Sequence, residues 1–206
     1  MNCLQLFSKA KKLIAEEKPE YWKLIDELES IEIEEKVLGI IEKNVHIEGK
    51  LFLGGDSVIK AGSRIEGNVY IGKNCTIGPN AYLRGNVLIE DNCRIANSEI
   101  KNSIILSKTN IPHFSYVGDS IIGDCVNLGA GTKIANLRFD GCNVKVDFYS
   151  SKVDSKRRKL GAFIKSNTKT GVNACINCGV IIGKNCFIYP GVFVRKSIKD
   201  NTQLER

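Results

Sequence analysis

The chain has 206 residues, 43% of them hydrophobic and 26% charged, an ordinary composition for a protein that buries a core without disulfide staples. Its formal charge of +7 suits an anionic partner, whether phosphate, nucleotide, nucleic acid or membrane surface, and selects none of them. No stretch approaches about eighteen consecutive apolar residues, which excludes a membrane-spanning helix. The opening Met1-Asn2-Cys3-Leu4-Gln5-Leu6-Phe7-Ser8-Lys9 lacks the long apolar run of a secretory signal. A cytoplasmic protein with eight reduced cysteines is therefore expected.

Residues 1–36 read as helical. Leu4, Phe7, Leu13 and Ile14 can share one face of a first helix. Pro19 fits the first position of a second, which carries Trp22, Leu24, Ile25 and Leu28. This pair is expected as a short helical cap over an open end of a repetitive fold.

From Ile41 the chain repeats in sixes. Ile41, Ile47, Leu53, Ile59, Ile65, Ile71, Ile77, Leu83, Ile89 and Ile95 are all large branched aliphatics. Two residues before the later ones stand mostly small or β-branched residues, among them Val45, Ser57, Ser63, Val69, Cys75, Ala81, Val87 and Cys93. Residues two apart face the same side of a strand. The rest of each hexad is rich in Gly, Asn, Asp and Lys, as in Ile71-Gly72-Lys73-Asn74 and Ile182-Gly183-Lys184-Asn185, types that suit tight corners. Strand and corner in alternation make a coil, so the fold expected is all-β, a parallel β-helix of hexapeptide repeats. With three faces per coil, the small residue sits where the section narrows and the aliphatic fills the middle.

The frame returns at Tyr116, Ile122, Leu128 and Ile134, and again at Ile164, Thr170, Ile176, Ile182, Ile188 and Val194. Ile95 and Ile122 stand 27 apart, not a multiple of six, so about three extra residues are expected to loop out between them. Residues 137–159 lack the pattern and are expected as an excursion from the coil, a natural place for function. The solenoid is expected to span 37–199 and to leave a tail at 200–206.

Cys75, Cys93 and Cys186 fall on the small interior position, where packing alone explains them. Cys175 and Cys178 form a lone C-x-x-C on an outward position and a corner, too few ligands for a structural zinc, and no metal is expected. Of the two histidines, His46 reads as a surface residue. His113 follows Pro112 where the frame slips, and a loop histidine is the better candidate base.

His113 opens the stretch HFSYVGDSIIGDCVNLGAGTKIAN, residues 113 to 136. It resembles the acetyltransferase half of bifunctional glucosamine-1-phosphate acetyltransferase / N-acetylglucosamine-1-phosphate uridyltransferase. Ala-Asn-Leu-Arg-Phe-Asp (135 to 140) and Arg-Arg-Lys-Leu-Gly-Ala-Phe (157 to 163) look closest to the archaeal sugar-1-phosphate nucleotidyltransferase/acetyltransferase branch. The similarity covers about residues 40 to 199. It implies a left-handed β-helix and a homotrimer with sites between neighbouring subunits. It also implies acetyl-CoA as donor to an amino-sugar 1-phosphate, in the biosynthesis of nucleotide sugars such as UDP-N-acetylglucosamine. His113 matches the catalytic base; Tyr116, Asn127 and Asn136 match sugar contacts; Ala130 matches a residue whose backbone touches the CoA arm. Leu83-Arg84-Gly85 and Glu99-Ile100-Lys101 resemble the segments whose Arg and Lys hold the sugar phosphate, here Arg84 and Lys101.

The residue types suit that chemistry. An amine attacking a thioester needs a proton acceptor, the tetrahedral oxyanion needs donors, and a phosphate needs fixed positive charge. No Gly-rich nucleotidyltransferase loop precedes the repeats, so only acetyl transfer is expected. The Lys156-Arg157-Arg158-Lys159 cluster is either a solvated loop or a contact for the CoA phosphates. Four basic residues in one loop are too few for a nucleic-acid patch. The alternatives are acylation of another amino sugar or nucleotide sugar, and a non-catalytic β-helix scaffold or regulatory subunit.

Overall fold

The computed structural model describes residues 2–149 and 151–205. Helix α1 (Cys3–Ala15) opens with a reciprocal capping box, in which Asn2 and Gln5 each accept the other's backbone N–H at 3.0–3.1 Å. Helix α2 (Trp22–Glu29) comes next, with Pro19 standing before it and not at its first position. Short parallel strands then wind a β-helix from Lys36 to Leu204.

Three faces recur. On the first, Leu53, Ile71, Ile89, Ile105, Ile122, Ile164 and Ile182 stack in register. The second stacks Ile41, Ile59, Ile77, Ile95 and Ile111, continues through Asn127-Leu128, and ends on Ile188 and Leu204. The third stacks Ile47, Ile65, Leu83, Ile100, Val117, Ile134, Ile176 and Val194. Almost all these side chains are buried in one core with the small residues two positions earlier. Those small residues also stitch the coils together: Ser57 Oγ donates to Gly72 O at 2.7 Å and accepts from Cys75 N at 2.9 Å. Corners are made as the composition indicates, with Asn74, Asn92 and Asn185 in the left-handed region. At Gly72 the next coil comes so close that an added Cβ would stand 2.2 Å from Asp91 Oδ1.

Three sequence expectations need correction. No residues loop out between Ile95 and Ile122. Ile100, Ile105, Ile111 and Val117 fill the interior between them, and the corners at Asn97, Asn102 and Asp119 are each one residue short. The interior residue is consequently Val117, and Tyr116 points outward. The residues expected as a tail still coil, since Gln203-Leu204 pairs with Phe187-Ile188.

The third correction concerns the helices. They lie flat along the first face and do not cap an end. Phe52, Tyr70, Leu88, Ile104, Ile121, Phe163 and Ile181 point outward from that face and join the helices in a second apolar cluster. Leu6, Phe7, Ala10 and Ile14 of α1, and Trp22, Leu24, Ile25 and Leu28 of α2, belong to it, whereas Leu4 points to solvent. Burying one such large side chain contributes roughly 1.5–3 kcal/mol, which explains why the side and not the end attracts the hairpin. Lys165 Nζ donates to Glu16 O at 2.7 Å just past the end of α1.

The excursion leaves the third face after Ile134 and returns at Phe163-Ile164 on the first, directly over Ile121-Ile122. A bridge between Leu137 and Lys159 closes its neck. Inside it, Lys145–Asp147 and Lys152–Asp154 form an antiparallel hairpin whose Val144, Val146 and Phe148 pack into the same second cluster. Among the described residues, no helix is long and apolar enough to cross a membrane.

Candidate active site

Register builds a polar group on the outside of the third face. Lys101 pairs with Arg84, and Glu99 lies between Tyr82 and Tyr116 on adjacent strands about 4.8 Å apart. Alternation then turns Tyr82, Arg84, Glu99, Lys101 and Tyr116 outward together. Arg84 Nε donates to Glu99 Oε1 at 2.6 Å, and the guanidinium lies 5.9 Å from the centre of the Tyr82 ring. Burial works against the Arg84 charge, but the hydrogen bond and charge of Glu99 outweigh it and hold its pKa above the ordinary arginine value.

Lys101 Nζ donates to both oxygens of Asp119 at 2.9 Å. Asp119 is 1% exposed and also accepts from Asn102 Nδ2 at 3.0 Å and Asn136 Nδ2 at 2.5 Å. Asn136 Nδ2 reaches the Tyr116 hydroxyl at 3.0 Å. Burial, reinforced by the Asp119 and Glu99 charges, pushes the Tyr116 phenol upward, so it keeps its proton. Gly118 leaves room for this contact, since a Cβ there would stand 2.5 Å from the Tyr116 hydroxyl and 2.7 Å from Asn136 Nδ2.

Four of the residues singled out in the sequence, Arg84, Lys101, Tyr116 and Asn136, are thus brought into one group. Two that were not, Glu99 and Asp119, neutralise the cations. For Glu99 a signal was present, two residues from Lys101 on an alternating strand; the shortened corner that holds Asp119 shows only in the stacked coils.

His113 is exposed on the corner between the second and third faces. Its carbonyl accepts from Gly131 N at 2.9 Å, which sets Ala130 beside it one coil further on. Asn127 faces outward from the second face, bridged to Asn110 and Lys169. The faces of a three-sided coil diverge, so this chain does not bring Asn127 to Arg84 and Lys101.

One member of the basic cluster has a structural task. Arg157 forms ion pairs with Asp26 and Glu29 of α2, clasping the excursion to the helix. Burial opposes its charge, and the two carboxylates outweigh that and raise its pKa. His46 is exposed beside Arg64. Cys175 is exposed and Cys178 half-buried at a corner. Among the described residues, no three His, Cys, Asp or Glu side chains are grouped to hold a metal.

Six-residue steps around three stacked faces define a hexapeptide-repeat β-helix. A family model described as bacterial transferase hexapeptide (six repeats) matches residues 161–196, and one described as the GMPPB C-terminal domain matches residues 65–149. Over 162 residues the chain is 48% identical to a bifunctional sugar-1-phosphate nucleotidylyltransferase/acetyltransferase of Sulfurisphaera tokodaii, covering 78% of this chain and 40% of that protein. Over 168 residues it is 58% identical to the bifunctional protein GlmU of Methanococcus maripaludis, covering 81% of this chain and 41% of that protein. The chain is a homologue of the hexapeptide-repeat region of these archaeal bifunctional proteins, and it spans about two fifths of their length. Among solved structures, the polysialic acid O-acetyltransferase OatWY is a distant likeness, with 19% identity over 80% of this chain and 79% of that one and a TM-score of 0.46.

Proposed function

We propose that this chain is an acyltransferase that moves the acetyl group of acetyl-CoA onto the amine of an amino-sugar 1-phosphate, in nucleotide-sugar biosynthesis. The observation that carries the reading is the Arg84–Lys101–Tyr116–Asn136 group on one face, beside the corner that bears His113. In this reading the phosphate meets Arg84 and Lys101, which are charged and partly desolvated. Glu99 and Asp119 keep the group near neutrality, which suits a ligand carrying an ammonium as well as a phosphate. His113 takes a proton from the ammonium or the attacking amine. A C–N bond forms, the C–S bond breaks, and the thiolate of CoA leaves and is protonated. Backbone N–H groups at the corner are suited to hold the oxyanion between these steps.

The position of Asn127 on another face supports a composite site, with the second face of one subunit turned toward the third face of its neighbour. A homotrimer is the proposed assembly, in the cytoplasm, where the eight unpaired cysteines would stay reduced. Sedimentation should therefore give three copies per particle at micromolar concentration. A monomer there would remove the composite site.

The test of the activity is mass-spectrometric turnover of acetyl-CoA against a panel of amino-sugar 1-phosphates. Thiol reagents would also report the exposed Cys125, Cys142 and Cys175. Arg84→Ala and Lys101→Ala should each weaken sugar-phosphate binding about ten- to a hundredfold, the worth of a charge-assisted hydrogen bond, and leave acetyl-CoA binding nearly unchanged. Loss of CoA affinity in both variants would assign them to the other substrate.

A further inference from the structure

Helix α2 ends against the two turns just past the candidate cations. Asn86, two residues past Arg84, donates its amide to Leu28 O at 2.9 Å and Glu29 O at 3.0 Å, the last carbonyls of the helix. Asn102, directly after Lys101, donates its amide to Glu29 Oε1 at 3.3 Å and to Asp119 Oδ1 at 3.0 Å. Glu29 is itself held by Arg157 from the excursion.

The corner where this happens changes character along the coil. Gly49, Gly67 and Gly85 occupy it with φ of 121°, 125° and 67°. In the next two coils it holds Asn102 at φ 46° and Asp119 at φ 49°. A side chain in the left-handed region is uncommon, though Asn and Asp tolerate it best. Both side chains here are buried, at 7% and 1% exposure, and neither fills the apolar core. Asp119 spends all four of its acceptor positions: Oδ1 on Lys101 and Asn102, Oδ2 on Lys101 and Asn136. A lysine has a flexible stem with several rotatable bonds, and without such a seat its ammonium would sample many positions.

We propose that Asn102 and Asp119, braced from outside by Glu29 of helix α2, are positioning residues that fix the Lys101 ammonium and the Asn136 amide for the phosphate ester. The N-terminal hairpin then supports the site as well as the first face. The proposal rests on the amino-sugar phosphate reading for its kinetic consequence but not for its structural one.

Two variants test it. Asn102→Gly restores the residue that earlier coils carry at this corner, so the backbone is preserved. Glu29→Ala removes the brace at the solvent edge. Each is measured in two ways: the rate at which an amine-acylating reagent labels Lys101, read by peptide mass spectrometry against exposed Lys108 and Lys133, and steady-state kinetics. Lys101 labelling should rise severalfold in both variants, with melting temperatures close to the parent chain. The KM for the sugar phosphate should rise about three- to tenfold, less than the full worth of the charge-assisted bonds removed because Lys101 keeps both of its bonds to Asp119, with kcat and the acetyl-CoA KM unchanged. Unchanged labelling and KM in Asn102→Gly would overturn the positioning role, and the same result confined to Glu29→Ala would overturn the part given to helix α2. If the parent chain acetylates no amino-sugar phosphate, the functional reading fails, and the Lys101 labelling still decides the positioning.

Discussion

Replacing His113 with alanine should lower turnover by roughly a hundred- to ten-thousandfold, the usual worth of a positioned general base. The fold should be untouched. His113 is exposed, and the corner is held by main-chain bonds that an alanine keeps: Gly131 N to the residue 113 carbonyl at 2.9 Å, and Phe114 N to Asn97 O at 2.8 Å. Arg84, Lys101, Tyr116 and Asn136 keep their partners on the next face, so the KM for the sugar phosphate should change little. The measurement is acetyl transfer by mass spectrometry with both substrates saturating, alongside circular dichroism and sedimentation. A folded His113→Ala protein with near-normal transfer would place the base elsewhere and withdraw the role carried over from the family.

The largest effect on stability is expected at Tyr21. Its side chain is fully buried between α2 and the first face. The ring stacks on Phe163 at 5.6 Å and meets Trp22 edge-on at 5.9 Å, and the hydroxyl donates to Gly161 O at 3.0 Å. Burial pushes the phenol well above the ordinary tyrosine range, so it stays protonated as a donor. Tyr21→Ala should cost about 3–5 kcal/mol through lost packing and the cavity left behind. Tyr21→Phe should cost only about 0.5–1.5 kcal/mol, because Gly161 O also accepts from Gly179 N at 2.8 Å and stays paired. Urea unfolding measures both. If Tyr21→Ala unfolds at the same urea concentration as the parent chain, the hairpin is not part of the cooperative unit.

The helices and the excursion both pack on the outward apolar residues of the first face. These could have been read in the sequence as doublets: Leu88-Ile89, Ile104-Ile105, Ile121-Ile122, Phe163-Ile164 and Ile181-Ile182. One member of each faces the coil interior and the other the helices or the excursion. A strand covered on both sides loses its alternation and becomes a continuous apolar run. A search for the interior period alone passes over the second member.

The coil was legible in the chain. Its interior is set by local rules, alternation along a short strand and a corner residue that accepts the left-handed region, so the hexads from Ile41 to Ile95 and from Ile164 to Val194 needed no distant partner to be recognised. The helical character of residues 3–15 and 22–29 was equally local. Tertiary structure alone decided where the helices lie, because the outward members of the doublets form one continuous apolar surface only when the coils stack. It decided the frame through 95–122, since a corner one residue short keeps its register only by stacking on neighbouring coils, and this is what turned Tyr116 outward and Val117 inward. It supplied Glu99 and Asp119 as partners for Arg84 and Lys101, sent Asn127 to a different face, and fixed Arg157 to α2. Each of those outcomes joins residues from different coils or elements, and a hydrogen bond made across a whole turn of winding leaves no local trace in composition or period.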